Sequence, residues 1–106
     1  MKVRFHRLAR AELGESALYY EGECAGLGGE FLDAVQRAVG FLKEHPEGAP
    51  VVSIDLRRKL LDRFPYGLIY AVEGAEIFVL AVANLRRRPF YWKGRTPGPA
   101  VPRTPP

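Results

Sequence analysis

Hydrophobic and polar positions fall into three regimes along the chain. Residues 2–6, Lys-Val-Arg-Phe-His, alternate as a half-buried strand does. From Ala9 the period changes. Ala9, Leu13, Ala17, Tyr20 and Cys24 recur at steps of four, four, three and four, which puts them on one helix face. Gly26 interrupts this run. A second stripe, Phe31, Val35, Ala38 and Leu42, has Glu30, Asp33, Gln36, Arg37 and Lys43 mostly off it. His45-Pro46 ends that helix, because proline disfavours a helical residue before it. The link around Ala25 to Gly29 is short, so the two helices form an antiparallel hairpin.

After Pro50 the chain reads as strands. Val51-Val52-Ser53-Ile54 is rich in β-branched residues. Leu56 to Phe64 is ambiguous, mixing a basic cluster with Leu60 and Leu61. Tyr66 to Val72 and Glu76 to Asn84 read as buried strands joined at Glu73-Gly74-Ala75 into a β-hairpin. The expectation is an α+β domain in the order β-α-α-β-β-β, with the helical hairpin packed on one face of a mostly antiparallel sheet. One core would hold Leu13, Ala17, Tyr20, Phe31, Val35, Ala38, Leu42, Ile69, Phe78, Leu80 and Val82. The domain spans 1–95. Residues 96–106, five of them proline, read as a disordered or polyproline-like tail.

Composition adds location and a charge asymmetry. No apolar run is long enough for a membrane span. The charged N-terminus, Lys2 to Arg7, does not suit a secretory signal. A single cysteine, Cys24, cannot form an internal disulfide, and a cytoplasmic location is expected. Its place on the apolar stripe makes Cys24 a core residue. Residues 1–50 carry six basic and eight acidic side chains, whereas residues 51–106 carry ten and four. The basic half suggests a face that meets an anionic partner.

Familiar catalytic patterns are missing from the sequence. His6, His45 and Cys24 are isolated, so neither a metal nor another cofactor is expected, and both histidines read as surface residues. Ser16 and Ser53 sit in no nucleophile elbow, and Leu27-Gly28-Gly29-Glu30 matches no nucleotide-binding loop. Two basic segments remain: Arg57-Arg58-Lys59 with Arg63, and Arg86-Arg87-Arg88-Pro89-Phe90-Tyr91-Trp92-Lys93-Gly94-Arg95. Cations interleaved with aromatics suit RNA, where rings stack on bases. They equally suit a protein interface, where Arg, Tyr and Trp are the usual anchors. Phe90 and Trp92 could also fold back onto the sheet.

The chain resembles the RelE/ParE superfamily of type II toxins, especially the ParE-like plasmid stabilisation branch. The resemblance rests on Ala17-Leu18-Tyr19-Tyr20 and Leu27-Gly28-Gly29-Glu30-Phe31 in the helices. Arg63-Phe64-Pro65-Tyr66-Gly67-Leu68-Ile69-Tyr70 and the stretch from Ala81 to Trp92 follow, so that residues 2 to 95 are covered in order. It implies a growth-inhibiting toxin neutralised by a cognate antitoxin. RelE-like members cleave mRNA on the ribosome without a metal, using lysines, arginines and a tyrosine. That tyrosine matches Tyr91, and one lysine falls near Arg58, whose guanidinium is a poor base. A strand arginine falls on Gly67, a second arginine on Leu85 beside Arg86, and a second lysine near Leu60. Asn84 stands where many relatives carry histidine.

These departures favour the ParE-like alternative, in which the protein binds a target such as DNA gyrase. An mRNA endonuclease and an inactive antitoxin-binding remnant remain the other readings. Arg58, Arg86 and Tyr91 are the catalytic candidates if RNA is cut. The expected target- or RNA-binding set is Arg57, Arg58, Lys59, Arg63, Asn84, Arg86, Arg87, Arg88, Tyr91, Trp92 and Arg95.

Overall fold

Gly74 and Ala75 make the tight turn around which the sheet is built. Gly74 takes φ 61°, the left-handed conformation that a two-residue hairpin loop demands. The turn joins β4 (Tyr66–Glu73) to β5 (Glu76–Asn84). Preceding them are β1 (Lys2–Phe5), α1 (Arg7–Glu23), α2 (Leu27–Glu44), β2 (Val51–Ser53) and β3 (Leu56–Leu60). The computed structural model describes residues 1–95; the expected proline-rich tail lies outside the described residues. The sheet order is β1-β5-β4-β3-β2, antiparallel except for the β1–β5 pair. The α+β class and the helical hairpin are as expected, and the ambiguous segment supplies one further strand, β3. Ile54 does not extend β2. It is exposed in the β2–β3 turn beside Asp55, whose φ is 60°.

The helical hairpin is fixed by one carboxylate and one glycine. Glu21 Oε2 accepts from the Gly26 N–H and Oε1 from the Gly28 N–H, both at 2.9 Å. Two amides with no carbonyl partner at the start of α2 are thus capped by an anion, where the helix dipole favours negative charge. A Cβ on Gly28 would lie 2.6 Å from the Ala17 carbonyl, so glycine sets how closely the helices cross. His6 is no bystander on the surface. Half-buried, it N-caps α1, its Nδ1 accepting from the Leu8 N–H at 3.0 Å. Cys24 is exposed, contrary to the apolar stripe, because α1 ends at Glu23 and Cys24 is already extended.

The core is split between two faces, not gathered into one. Strand alternation sends Leu68, Tyr70, Ile77, Val79 and Val82 to the helices, where Phe31, Val35, Ala38 and Leu42 meet them. Ile69, Ala71, Phe78, Leu80, Ala81 and Ala83 face the other way and are also buried. A β-bulge changes the phase within β5: Ile69 pairs with Ala81 but Tyr70 with Val79, leaving Leu80 extra. Tyr20, Phe31, Phe64 and Tyr66 cluster where α1, α2 and the β3–β4 turn meet. The Phe31 ring stands 5.4, 5.2 and 4.9 Å from the other three.

Two glycine substitutions in α2 should have opposite signs. Gly28→Ala must push against backbone and should cost about 1–3 kcal/mol, the range for overpacking. A Cβ at Gly40 would meet nothing within 4 Å, so Gly40→Ala should stabilise by up to about 1 kcal/mol. Denaturant midpoints of the two variants check this, and a stabilising Gly28→Ala would contradict the close crossing.

Candidate functional site

The outer face of the sheet is covered by an arm, residues 85–95, that turns back after β5. Leu85 N–H donates to the Pro65 carbonyl at 2.9 Å, and the Asn84 side chain accepts from the Arg86 N–H at 2.9 Å. Phe90 holds φ 62°, a strained value for an aromatic residue, and this reverses the chain. Trp92 is driven into the cluster with Ile69, Ala81 and Ala83 and is only 4% exposed. Phe90 stays 46% exposed with its ring 5.3 Å from that of Trp92.

Between the arm and β2–β3 lies a cleft of about 280 Å³. Val52, Ile69, Ala83 and Trp92 give it apolar walls, and Arg58, Asn84, Arg87 and Arg88 are its polar lining. Gly67 has a specific part here. A Cβ at this position would sit 2.9 Å from Arg58 Cγ and 3.1 Å from Cδ. The missing side chain is the space that the Arg58 stem crosses on its way to the cleft.

The residues expected to bind a target divide between places. Arg58, Asn84, Arg87, Arg88, Tyr91 and Trp92 come together at the cleft. Arg57 and Lys59 flank Arg58 on β3, and alternation turns them to the helix side. There Arg57 donates to the Glu47 and Ala49 carbonyls at 3.1 and 2.8 Å, and Lys59 Nζ lies 4.1 Å above the Phe41 ring. Arg63, in the turn after β3, pairs with Glu30 at 2.7 Å. Arg86 is exposed at the start of the arm. Arg95 is engaged inside the protein, donating to Glu12 Oε1 and Oε2 at 3.1 and 2.9 Å.

Glu12 is the residue that sequence reasoning missed. It sits three residues after the buried Ala9, on the inward side of α1, and an acid in that position was its only signal. Its partner is 83 positions away.

Tyr91 lies with its hydroxyl buried and without a hydrogen-bond partner among the described residues. Burial pushes its phenol well above the usual tyrosine range, and the nearby Glu12 carboxylate adds to this; Arg87 and Arg95 oppose it. The Arg87 guanidinium stacks 3.9 Å from the Tyr91 ring. Among the described residues no group of three His, Cys, Asp or Glu could hold a metal. Among the same residues no helix is long and apolar enough to cross a membrane.

Against known proteins, one likeness stands out from the fold. A solved chain described as "Chromosomal ParDE TA system from P. aeruginosa" is similar, with a TM-score of 0.61 and 26% identity over 81% of this chain and 97% of that one. No protein-family model matches the chain, and no curated protein matches it by sequence. The chain is ParE/RelE-like, as the motifs in its sequence indicate.

The buried phenol carries a pH prediction. Its folded pKa exceeds the unfolded value near 10, so the folded state holds its proton longer. Tyr20 and Tyr70 are shifted the same way, mainly by burial. Stability should therefore be unaffected by these groups below pH 10 and fall as pH rises above it. In an ultraviolet titration of the folded protein, Tyr91→Phe should remove no absorbance step near pH 10. Loss of such a step would show that the hydroxyl reaches solvent.

Proposed function

We propose that this protein is the toxin half of a type II toxin–antitoxin pair, and that it inhibits growth by binding a target protein such as DNA gyrase. The likeness to a chain of a ParDE system supports the toxin reading. The observation that carries the choice of binding over cleavage is the position of Tyr91. RNA cleavage by attack of a 2′-hydroxyl needs a group that reaches the leaving oxygen and gives it a proton. The Tyr91 hydroxyl is buried. Arg58 and Arg86, the other candidates, stay protonated and can only stabilise charge. What the surface offers is an apolar cleft edged by Arg58, Arg87 and Arg88, with Phe90 and Leu85 exposed beside it. That mixture suits a protein partner with acidic residues around an apolar anchor.

A cognate antitoxin is the second partner, and a groove on the helix side supports it. About 370 Å³ in volume, it is lined by Val3, Phe5, Leu13, Val35 and Val39, with Arg10 and Lys43 among its walls. An acidic amphipathic segment fits that combination. The on-rate for the antitoxin should fall as salt rises, since steering by charge is screened. An on-rate indifferent to ionic strength would remove the charge argument.

The deciding experiment is induced expression with growth, supercoiling and translation followed together. Blocked supercoiling with normal translation is the expected result. Tyr91→Phe should retain toxicity, whereas reversing charge with Arg87→Glu should lower it at least tenfold, as losing an interface anchor of about 1.4 kcal/mol or more would. Ribosome-dependent mRNA cleavage abolished by Tyr91→Phe alone would overturn the binding reading in favour of a nuclease.

A further inference from the structure

The arm is tied to the body by few bonds. Its backbone hydrogen bonds are local turns, from Arg87 to Asn84, Lys93 to Phe90 and Arg95 to Trp92. Among the described residues, its one backbone–backbone bond to the body beyond the adjoining Asn84 is that from Leu85 to Pro65. The arm also carries Arg86, Arg87, Arg88, Lys93 and Arg95 with no acidic residue, so its charges repel one another. The strained Phe90 backbone works against docking as well.

Opposing these costs, apart from the packing of Trp92 and Tyr91, is one ion pair in an unusual place. β1 accompanies β5 only as far as the His6 N–H, which donates to the Val79 carbonyl at 2.8 Å. Beyond it, the bulged part of β5 leaves the Leu80 carbonyl and the Val82 N–H on an uncovered edge. Glu12 Oε1 accepts from the Val82 N–H at 2.9 Å, and Arg95 donates to the Leu80 carbonyl at 2.9 Å. The same two side chains then pair with each other. Their side chains are 12% and 13% exposed, so water and salt screen the pair weakly. Removing either partner leaves the other charge shielded from water and unmatched.

We infer that Glu12 is a positioning residue: through Arg95 it clamps the arm to the sheet and so places Arg87, Arg88 and Phe90 for the target. This rests on the proposed reading of the cleft as the target-binding surface. Glu12 itself touches no target. Its part is to fix, from the opposite end of the sequence, where the arm's cations stand.

Glu12→Gln is the informative variant, because its amide oxygen still accepts from Val82 while the charge is gone. In the full chain, native-state trypsin cleavage after Arg86 and Arg87 should speed up at least tenfold. Amide exchange in α2 and β4 should stay as in the wild type, and toxicity should fall. Arg95→Gln should do the same, and the double variant should be no worse than either single one, as a shared interaction requires. Unchanged cleavage in Glu12→Gln would overturn the clamp. So would faster cleavage matched by equally faster exchange throughout α2 and β4, which reports global loosening. Faster cleavage with full toxicity would overturn the positioning role. A wild-type protein without toxicity would instead sink the toxin reading, while the cleavage ratio would still decide the clamp.

Discussion

β4 and β5 bury apolar side chains on both faces, and both surfaces have to be covered for the chain to fold. Two helices cover one face, packing Phe31, Val35, Ala38 and Leu42 against Leu68, Tyr70 and Val79. Among the described residues, no helix lies on the other face. Trp92 and Tyr91 from the arm cover Ile69, Ala81 and Ala83 there. Burying a side chain as large as Trp92 contributes on the order of 3 kcal/mol, which is enough to hold a short segment that makes few backbone bonds. The surface proposed to bind the target is therefore a by-product of completing the core. The segment that seals the outer face also carries two of the arginines that edge the cleft, Arg87 and Arg88.

The bulge in β5 links the two halves of this arrangement. By adding Leu80 it lets Leu80 and Ala81 both point outward, and it leaves backbone groups beyond the end of β1 to be satisfied. Glu12 from α1 and Arg95 from the arm meet those groups. One irregularity in one strand thus joins the helical layer to the arm through a shielded pair. A regular strand would have offered neither the phase change nor the vacant edge.

The fold was legible in the sequence wherever period alone decides structure. The α2 stripe and the β4–β5 hairpin follow from spacing and turn chemistry. The motifs behind the resemblance prove to be packing residues, since Tyr20, Phe31, Phe64 and Tyr66 meet in one aromatic cluster. The site was legible only in part. Arg57-Arg58-Lys59 reads as one basic cluster, but a strand sends its neighbours to opposite faces. Continuous apolar runs hide which side of the sheet each residue takes, so the spacing alone groups Ile69, Phe78 and Leu80 with a core they do not join. The Glu12–Arg95 pair depends on a bulge and on long-range docking, neither of which has a period.

The claim that the arm completes the core is most directly tested on Trp92, the protein's one tryptophan. Its fluorescence in the native full chain should be blue-shifted and poorly quenched by acrylamide, with both properties lost in the same denaturant transition that unfolds the helices. Emission and quenching like those of a free indole in the native state would mean that the arm is undocked, and would contradict the account.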